Sequence, residues 1–318
     1  MKIVITRHLP NDITKELVDN FNVVMWEKEN EPMPRKQLLE EIKDADGLFT
    51  NVADQIDFEL LERAPKLKVI STMAVGHDNI DINEARNRGI VVGHTPGVLT
   101  EATADLTFAL LMAAGRRIVE GMDVIRQNEW NSWGPFFLTG QGIYKKSIGI
   151  IGMGRIGLGV ARRAKGFQMD ILYYNRSRNR EAEEELNATY CELDELLTKA
   201  DYIVLLAPST KDTYKMIGKA EFAKMKHTAV FINTSRGTNV DEEALYHALQ
   251  SGEIFAAGLD VFDPEPIDSE HPLLKLRNVT ALPHIGSAAI ETRIEMARLA
   301  CENLLNGLKG QPLVHEVK

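Results

Sequence analysis

Two α/β domains, each built on a parallel sheet, are the fold this sequence predicts, and three observations predict it. The chain has 318 residues, more than one hydrophobic core usually organises, so about two domains are expected. Short apolar runs alternate with amphipathic segments from one end to the other, the pattern of parallel strands joined by helices. One glycine-rich turn, Gly152-Met-Gly-Arg-Ile-Gly157, stands between an apolar run and a helical one.

The strand runs of the first third fall at residues 2–6, 22–26, 47–50, 67–72 and 90–94, with helices beginning near Asp12, Arg35, Asp57 and Asp81. A long pattern rich in Ala and Leu then covers residues 100–126 and reads as one buried connecting helix. A second series of six strands follows at 147–151, 169–175, 202–207, 229–234, 256–261 and 279–282. The last helical pattern, 287–308, comes after that sheet and can pack back on the first domain. The expected boundaries are therefore 1–98 plus 287–318 for a discontinuous smaller domain and 99–286 for the other. Residues 128–144 are the least regular stretch. Trp130, Trp133, Phe136 and Phe137 crowd together there, as a local aromatic cluster or as a subunit contact, since exposed aromatics commonly mark interfaces.

Composition narrows the function classes. Hydrophobic residues make up 44% and charged residues 26%, ordinary for a soluble globular protein. A net charge of −9 argues against nucleic acid or an anionic membrane as partner. Cys191 and Cys301 are too few for a disulfide framework and read as free core thiols in a reducing compartment. No apolar run approaches the ~20 residues of a membrane span, and Met1-Lys-Ile-Val-Ile-Thr-Arg7 reads as a first strand rather than a signal peptide. A cytoplasmic protein is expected. The eight histidines show no Cys/His ligand spacing, so no metal is expected.

The glycine turn carries the first chemistry. Gly152 permits a tight turn, Gly154 removes a side chain where a dinucleotide pyrophosphate would pass, and Gly157 lets helix and strand pack closely. The helix N-terminus beyond it offers unpaired N–H groups and a positive dipole end. Alone, such a turn is weak evidence; a strand before it, a helix after it and a second strand make it a dinucleotide site.

Open α/β sheets bind ligands beyond the carboxyl ends of their strands, and three polar residues stand at such ends. Arg236 follows Ala229-Val-Phe-Ile-Asn-Thr-Ser235. Glu265, between Pro264 and Pro266, follows Gly258-Leu-Asp-Val-Phe262. His284 follows Val279-Thr-Ala-Leu-Pro283. Singly, each has a bland reading: a surface ion pair, a solvated turn, a hydrogen-bonded loop histidine. Together they form a coherent set. Arginine forks onto a carboxylate, histidine moves a proton near neutral pH, and a carboxylate orients its ring.

With these pieces in view, the chain resembles the D-isomer-specific 2-hydroxyacid dehydrogenases, and within them the glyoxylate/hydroxypyruvate reductases, a subgroup that includes 2-ketogluconate reductases. The resemblance rests on Val75-Gly-His-Asp-Asn-Ile-Asp81, Gly152-Met-Gly-Arg-Ile-Gly157, Phe231-Ile-Asn-Thr-Ser-Arg-Gly237, Ala257-Gly-Leu-Asp-Val-Phe262, Pro264-Glu-Pro266 and Leu282-Pro-His-Ile-Gly-Ser287, in family order over most of the chain. It implies two Rossmann-like or flavodoxin-like domains with parallel sheets and a cleft between them that closes on substrate. It implies that Arg236 binds the substrate carboxylate and C2 oxygen, that His284 is the general acid, and that Glu265 holds its imidazole. The amides of Val75 and Gly76 would bind the carboxylate. Asp260 would sit near the nicotinamide, Thr234, Pro208 and Gly286 would line the cofactor channel, and Gly154, Arg155 and Ile156 would meet the pyrophosphate. Trp130-Asn-Ser-Trp-Gly-Pro135 resembles a reductase segment in which a tryptophan, here Trp133, reaches the partner's active site in a homodimer. Met73, Val75, Leu99 and that segment would size the pocket for glyoxylate, hydroxypyruvate or 2-ketogluconate.

The second strand of a dinucleotide site that takes NAD usually ends in Asp or Glu, which accepts hydrogen bonds from the ribose 2′-OH. Asn175-Arg-Ser-Arg178 stands there instead. Arg176 and Arg178 would attract a 2′-phosphate beside Asn175 and Ser177, so NADP(H) is the expected cofactor, with NAD(H) possible. Two alternatives share much of this set. A phosphoglycerate dehydrogenase would prefer NAD and need cations for its substrate's phosphate, and it often carries a further regulatory domain. A dinucleotide-sensing corepressor-like scaffold would keep the triad without turnover.

Overall fold

A computed structural model describes residues 1–318; residues 1–99 with 289–318 form one unit and residues 100–288 another. The first unit alternates strand and helix: β1 (Lys2–Ile5), α1 (Asn11–Asn20), β2 (Asn22–Met25), α2 (Arg35–Glu41), β3 (Gly47–Thr50), α3 (Phe58–Glu62), β4 (Val69–Thr72), α4 (Ile82–Asn87) and β5 (Val91–Gly93). Its five strands pair in parallel in the order β2-β1-β3-β4-β5. Side chains alternate across the pleat, and both faces are covered: Val4, Leu48, Ile70 and Val92 join one core cluster, while Ile3, Ile5, Phe49 and Val69 join another. Covering both faces is why these strands read as continuous apolar runs. Asp57 and Asp81, read as helix starts, are the N-caps of α3 and α4, accepting from the amides of Leu60 and Glu84.

The second unit contains α5 (Thr100–Gly115), α6 (Ile118–Arg126), β6 (Ser147–Ile151), α7 (Arg155–Gly166), β7 (Asp170–Tyr174), α8 (Arg180–Leu186), β8 (Thr189–Tyr190), α9 (Leu193–Lys199), β9 (Tyr202–Leu205), α10 (Lys219–Phe222), β10 (Val230–Asn233), α11 (Glu242–Gln250), β11 (Ala256–Leu259) and β12 (Val279–Ala281). Its parallel sheet runs β12-β11-β10-β9-β6-β7-β8. The chain moves outward from β6 to β8, then returns to β9 on the other side of β6, so the strand order reverses at β6/β9. That reversal is where open α/β sheets bind ligands. The C-terminal helix, α12 (Ile290–Leu308), completes the first unit: Ala297, Ala300, Cys301, Leu304, Leu305 and Leu308 join the cluster of Ile3, Ile5, Phe49 and Val69.

Two expectations need correction. The sheet of the second unit has seven strands rather than six. The added β8 is only two residues long and pairs with β7 at the sheet edge, too short to show an alternating pattern. The pattern over residues 100–126 is two helices, broken at Arg116–Arg117, where Arg117 adopts a left-handed φ of 56°. The cause is tertiary. The amide of Gln141 donates to Gly115 O at 2.8 Å, and the Tyr202 hydroxyl packs where a Cβ on Gly115 would stand. Arg117 then turns back onto Glu120 through Nε and Nη2, each 2.8 Å from a carboxylate oxygen. No helix is long and apolar enough to cross a membrane.

Candidate active site

Because β10, β11 and β12 are neighbours in register, the segments that leave their carboxyl ends emerge side by side. Arg236 leaves β10, Asp260 and Glu265 leave β11, and His284 leaves β12. The β10 exit is organised by Asn233, whose Oδ1 accepts from the Ser235 amide (3.0 Å) and hydroxyl (2.8 Å) while its Nδ2 donates to Arg236 O at 2.9 Å. The next residue, Gly237, lies so close to the backbone of Phe262 and Asp263 that a Cβ would overlap it. That contact sets the Arg236 turn against the Pro264-Glu265-Pro266 loop.

Asp260 organises the β12 exit. It is buried, 1% exposed, and its carboxylate accepts from the amides of Ile285 (2.8 Å) and Gly286 (2.7 Å) while its carbonyl accepts from the His284 amide at 2.9 Å. Burial pushes its carboxyl above the usual range, and the two amides oppose only part of that rise. His284, held in this loop with a left-handed φ of 54°, places Nδ1 2.7 Å from Glu265 Oε2. Glu265 Oε1 accepts from the Phe262 amide at 2.9 Å. Burial alone would raise the Glu265 carboxyl; the hydrogen bond and charge of His284, the Phe262 amide and the Arg236 guanidinium outweigh it and hold the group below its ordinary value. Arg236 is thus close enough to act on Glu265, and its Nη1 also donates to Ser235 O at 2.8 Å.

At β6, Gly152 has a φ of 103°, and a Cβ there would stand 2.7 Å from the amide nitrogen of Ala207. Gly157 is pressed against Gly152 O. Gly154, by contrast, faces open space where a Cβ would be, with Arg155 exposed and Ile156 partly packed on the core beside it. An open surface at the N-terminus of α7 suits a pyrophosphate, so the residues present fit a dinucleotide.

Thr234 Oγ1 lies 2.8 Å from Thr107 Oγ1, and Thr107 donates to Thr103 O at 2.7 Å. Having one proton, Thr107 accepts from Thr234. Pro208, exposed after β9, accepts from the Thr213 hydroxyl at 2.7 Å. After β7, Asn175 donates to Ser177 O at 3.1 Å, Arg176 is exposed, and Arg178 pairs with Glu183 through Nε (2.8 Å) and Nη2 (2.9 Å). Trp133 and Phe136 are 80% and 84% exposed, so the aromatic residues of 128–144 are not a cluster packed on itself.

In the first unit, Val75 and Gly76 follow β4. The Val75 carbonyl faces Nδ1 of His94 at 3.1 Å and of His77 at 3.4 Å. Asn79 ties this loop to the carbonyls of Asn51 (2.9 Å) and Asp54 (2.7 Å).

Comparison with known proteins shows the family. Residues 108–286 match the family described as D-isomer specific 2-hydroxyacid dehydrogenase, NAD binding domain. A glyoxylate reductase of Thermococcus litoralis is 50% identical over 98% of this chain and 94% of its own. The chain belongs to the D-isomer specific 2-hydroxyacid dehydrogenase family. A solved structure from Thermus thermophilus superposes on this dehydrogenase with a TM-score of 0.93 at 43% identity, covering 100% of both chains. The NADPH-dependent glyoxylate/hydroxypyruvate reductase of Sinorhizobium meliloti, solved with NADP and malonate, has a TM-score of 0.86 at 32% identity and covers 99% of this chain and 96% of its own. The enzyme is an NAD(P)-dependent oxidoreductase whose NAD-binding domain lies within the second unit.

Some residues that shape the site were not singled out from sequence. Gly237 belongs to a quoted motif, but its close approach to Phe262 depends on which loops are neighbours. Glu242, whose Oε1 accepts from the Asp263 amide at 2.9 Å, braces the Pro264-Glu265-Pro266 loop from α11. The only local signal for it is an acid following the Asp241 cap.

Proposed function

We propose that this dehydrogenase reduces a small 2-ketoacid, glyoxylate foremost and hydroxypyruvate or 2-ketogluconate as further candidates, to the D-2-hydroxyacid with NADPH preferred. The observation that carries the reading is the convergence of Arg236 and the His284–Glu265 pair on adjacent strand ends beside an open glycine turn. The names of its relatives support glyoxylate as substrate.

Arg236 binds the substrate carboxylate and leans on the C2 oxygen, polarising the carbonyl. Val75 and Gly76 amides are further carboxylate donors. Glu265 accepts the Nδ1 proton of His284, which leaves Nε2 as the atom that delivers a proton to the C2 oxygen. Gly152, Gly154, Arg155, Ile156 and Gly157 hold the pyrophosphate; Asn175, Arg176, Ser177 and Arg178 surround the adenosine 2′ position; Pro208, Thr234, Asp260 and Gly286 line the remainder. When bound, the nicotinamide supplies the hydride that C2 accepts.

The enzyme is read as a homodimer. Ile118, Met122 and Ile125 lie on one side of α6 and are 55%, 42% and 65% exposed, and exposed Trp130, Trp133, Phe136 and Phe137 follow. A second copy with the same surface would cover them and bring Trp133 to its partner's substrate. Cys191 and Cys301 are free and buried, which fits the reducing cytoplasm.

Purified enzyme assayed with a panel of 2-ketoacids against NADPH and NADH tests the reading. Turnover of glyoxylate with a higher kcat/KM for NADPH is expected, and Arg176→Asp should raise the KM for NADPH and relatively favour NADH. No turnover on any 2-ketoacid would favour a scaffold role, and equal or better kcat/KM with NADH would end the NADPH assignment.

A further inference from the structure

The loop after β7 presents two guanidiniums in sequence but not two equivalent ones in space. Arg178 is held in a bidentate pair by Glu183, at 2.8 and 2.9 Å. Glu183 is in turn a fixed point: its side chain is 14% exposed and its carboxylate accepts from the hydroxyl of the buried Tyr173 at 2.5 Å. That hydroxyl accepts from the Asn179 amide at 2.9 Å, and Asn179 Nδ2 donates to Met153 O, inside the glycine turn, at 2.9 Å. The carboxylate is therefore tied through Tyr173 and Asn179 to the turn that carries the pyrophosphate. Hydrogen bonding to Arg178 first, and to Tyr173 second, holds the Glu183 carboxyl down at about 2, so it is an anion at any working pH. Arg180 lies 3.4 Å from the same carboxylate. Arg176 takes part in no ion pair and is exposed.

We propose that Glu183 is a specificity-determining residue: it neutralises and restrains Arg178, leaves Arg176 as the guanidinium that meets a 2′-phosphate, and so limits how strongly the enzyme prefers NADPH over NADH. The inference rests on the reading of residues 175–178 as the surroundings of the adenosine 2′ position. An anion fixed beside a phosphate opposes it by Coulomb repulsion, and a guanidinium already forked onto a carboxylate has fewer donors to offer. Glu183 is thus an acid contributed from the following helix, in a site whose strand end lacks one.

The test uses the whole enzyme and four variants, with binding of 2′,5′-ADP and 5′-AMP measured by calorimetry beside kcat/KM for both cofactors. Glu183→Gln keeps an acceptor for Tyr173 while removing the charge. It should tighten 2′,5′-ADP roughly tenfold, about the worth of one charge-assisted hydrogen bond, with 5′-AMP unchanged, and raise the NADPH:NADH ratio in step. Arg176→Ala should weaken 2′,5′-ADP by a similar factor, while Arg178→Ala in the native background should change it less than about threefold. Glu183→Gln combined with Arg178→Ala should lose the gain. If Arg178→Ala costs as much as Arg176→Ala, or Glu183→Gln weakens 2′,5′-ADP, then Glu183 buttresses a phosphate ligand and the proposal is overturned. If the native enzyme binds 2′,5′-ADP no tighter than 5′-AMP and Arg176→Ala does nothing, the 2′-phosphate reading fails. Glu183→Gln still decides the proposal in that case: new discrimination supports it, and none overturns it.

Discussion

His284 and Glu265, nineteen residues apart in sequence, meet at 2.7 Å between Nδ1 and Oε2. In the proposed mechanism this pair leaves Nε2 as the nitrogen that carries the transferable proton. His284→Ala should therefore nearly abolish turnover, on the order of 10²–10⁴-fold in kcat for a lost general acid, while cofactor binding, followed by fluorescence of the reduced nicotinamide, survives. Retention of most of kcat would show that another group delivers the proton.

The same pair predicts an acid-side stability signature. Glu265 sits below its ordinary value in the folded state, so its contribution is present above the unfolded carboxyl pKa of about 4.3 and is lost as pH falls through the lower folded value. Urea melts of the native enzyme and Glu265→Gln should differ by a constant amount above about pH 5.5, and the gap should close as pH drops toward 3. A gap that widened on acidification would have the sign wrong.

Asp260→Asn should disturb the His284 loop before any chemistry. One of the amides of Ile285 and Gly286 would then face an NH₂ group, and a buried donor without a partner costs about 1–3 kcal/mol. Both the midpoint of thermal unfolding and kcat should fall. A variant of native stability and full activity would remove Asp260 from its place as the organiser of that loop.

The three glycines of the turn should separate by role. Gly152→Ala and Gly157→Ala meet backbone atoms and are expected to lower stability or yield. Gly154→Ala meets nothing, so its melting temperature without cofactor should be near native while its affinity for NADPH and NADH drops. Unchanged affinity in Gly154→Ala would put the pyrophosphate elsewhere.

Cys301 is 5% exposed, and burial pushes its thiol up to about 12. A thiol that far from its thiolate is unreactive. Modification with a disulfide reagent at pH 8 should leave it untouched in the native protein and proceed on unfolding in guanidinium. On the exposed side of α6, Ile118→Asp with Ile125→Asp should shift the sedimentation of the proposed dimer to that of a monomer; a native enzyme that already sediments as a monomer would end the dimer reading.

The sequence by itself determined the class of fold and the identity of the chemical groups. Strands buried on both faces by helices must read as apolar runs, so Gly47–Thr50 or Val230–Asn233 is visible without coordinates. Gly157, which has no room for a Cβ beside Gly152 O, and Gly152, with its φ of 103°, are likewise demanded locally by the turn. What only the tertiary structure decided was partnership. The break at Arg117 comes from Gln141 reaching the end of α5, and β8 exists because β7 offers it an edge to pair with. Arg178, which in sequence looks like the twin of Arg176, is engaged by a carboxylate from the next helix. In the first two cases the deciding contact joins residues well apart in the chain; in the third the five-residue gap from Arg178 to Glu183 crosses from a loop into a helix and follows neither a helical nor a strand period. Burial pattern is written along the sequence, whereas the pairing of one polar group with another is fixed only when the strands have taken their order.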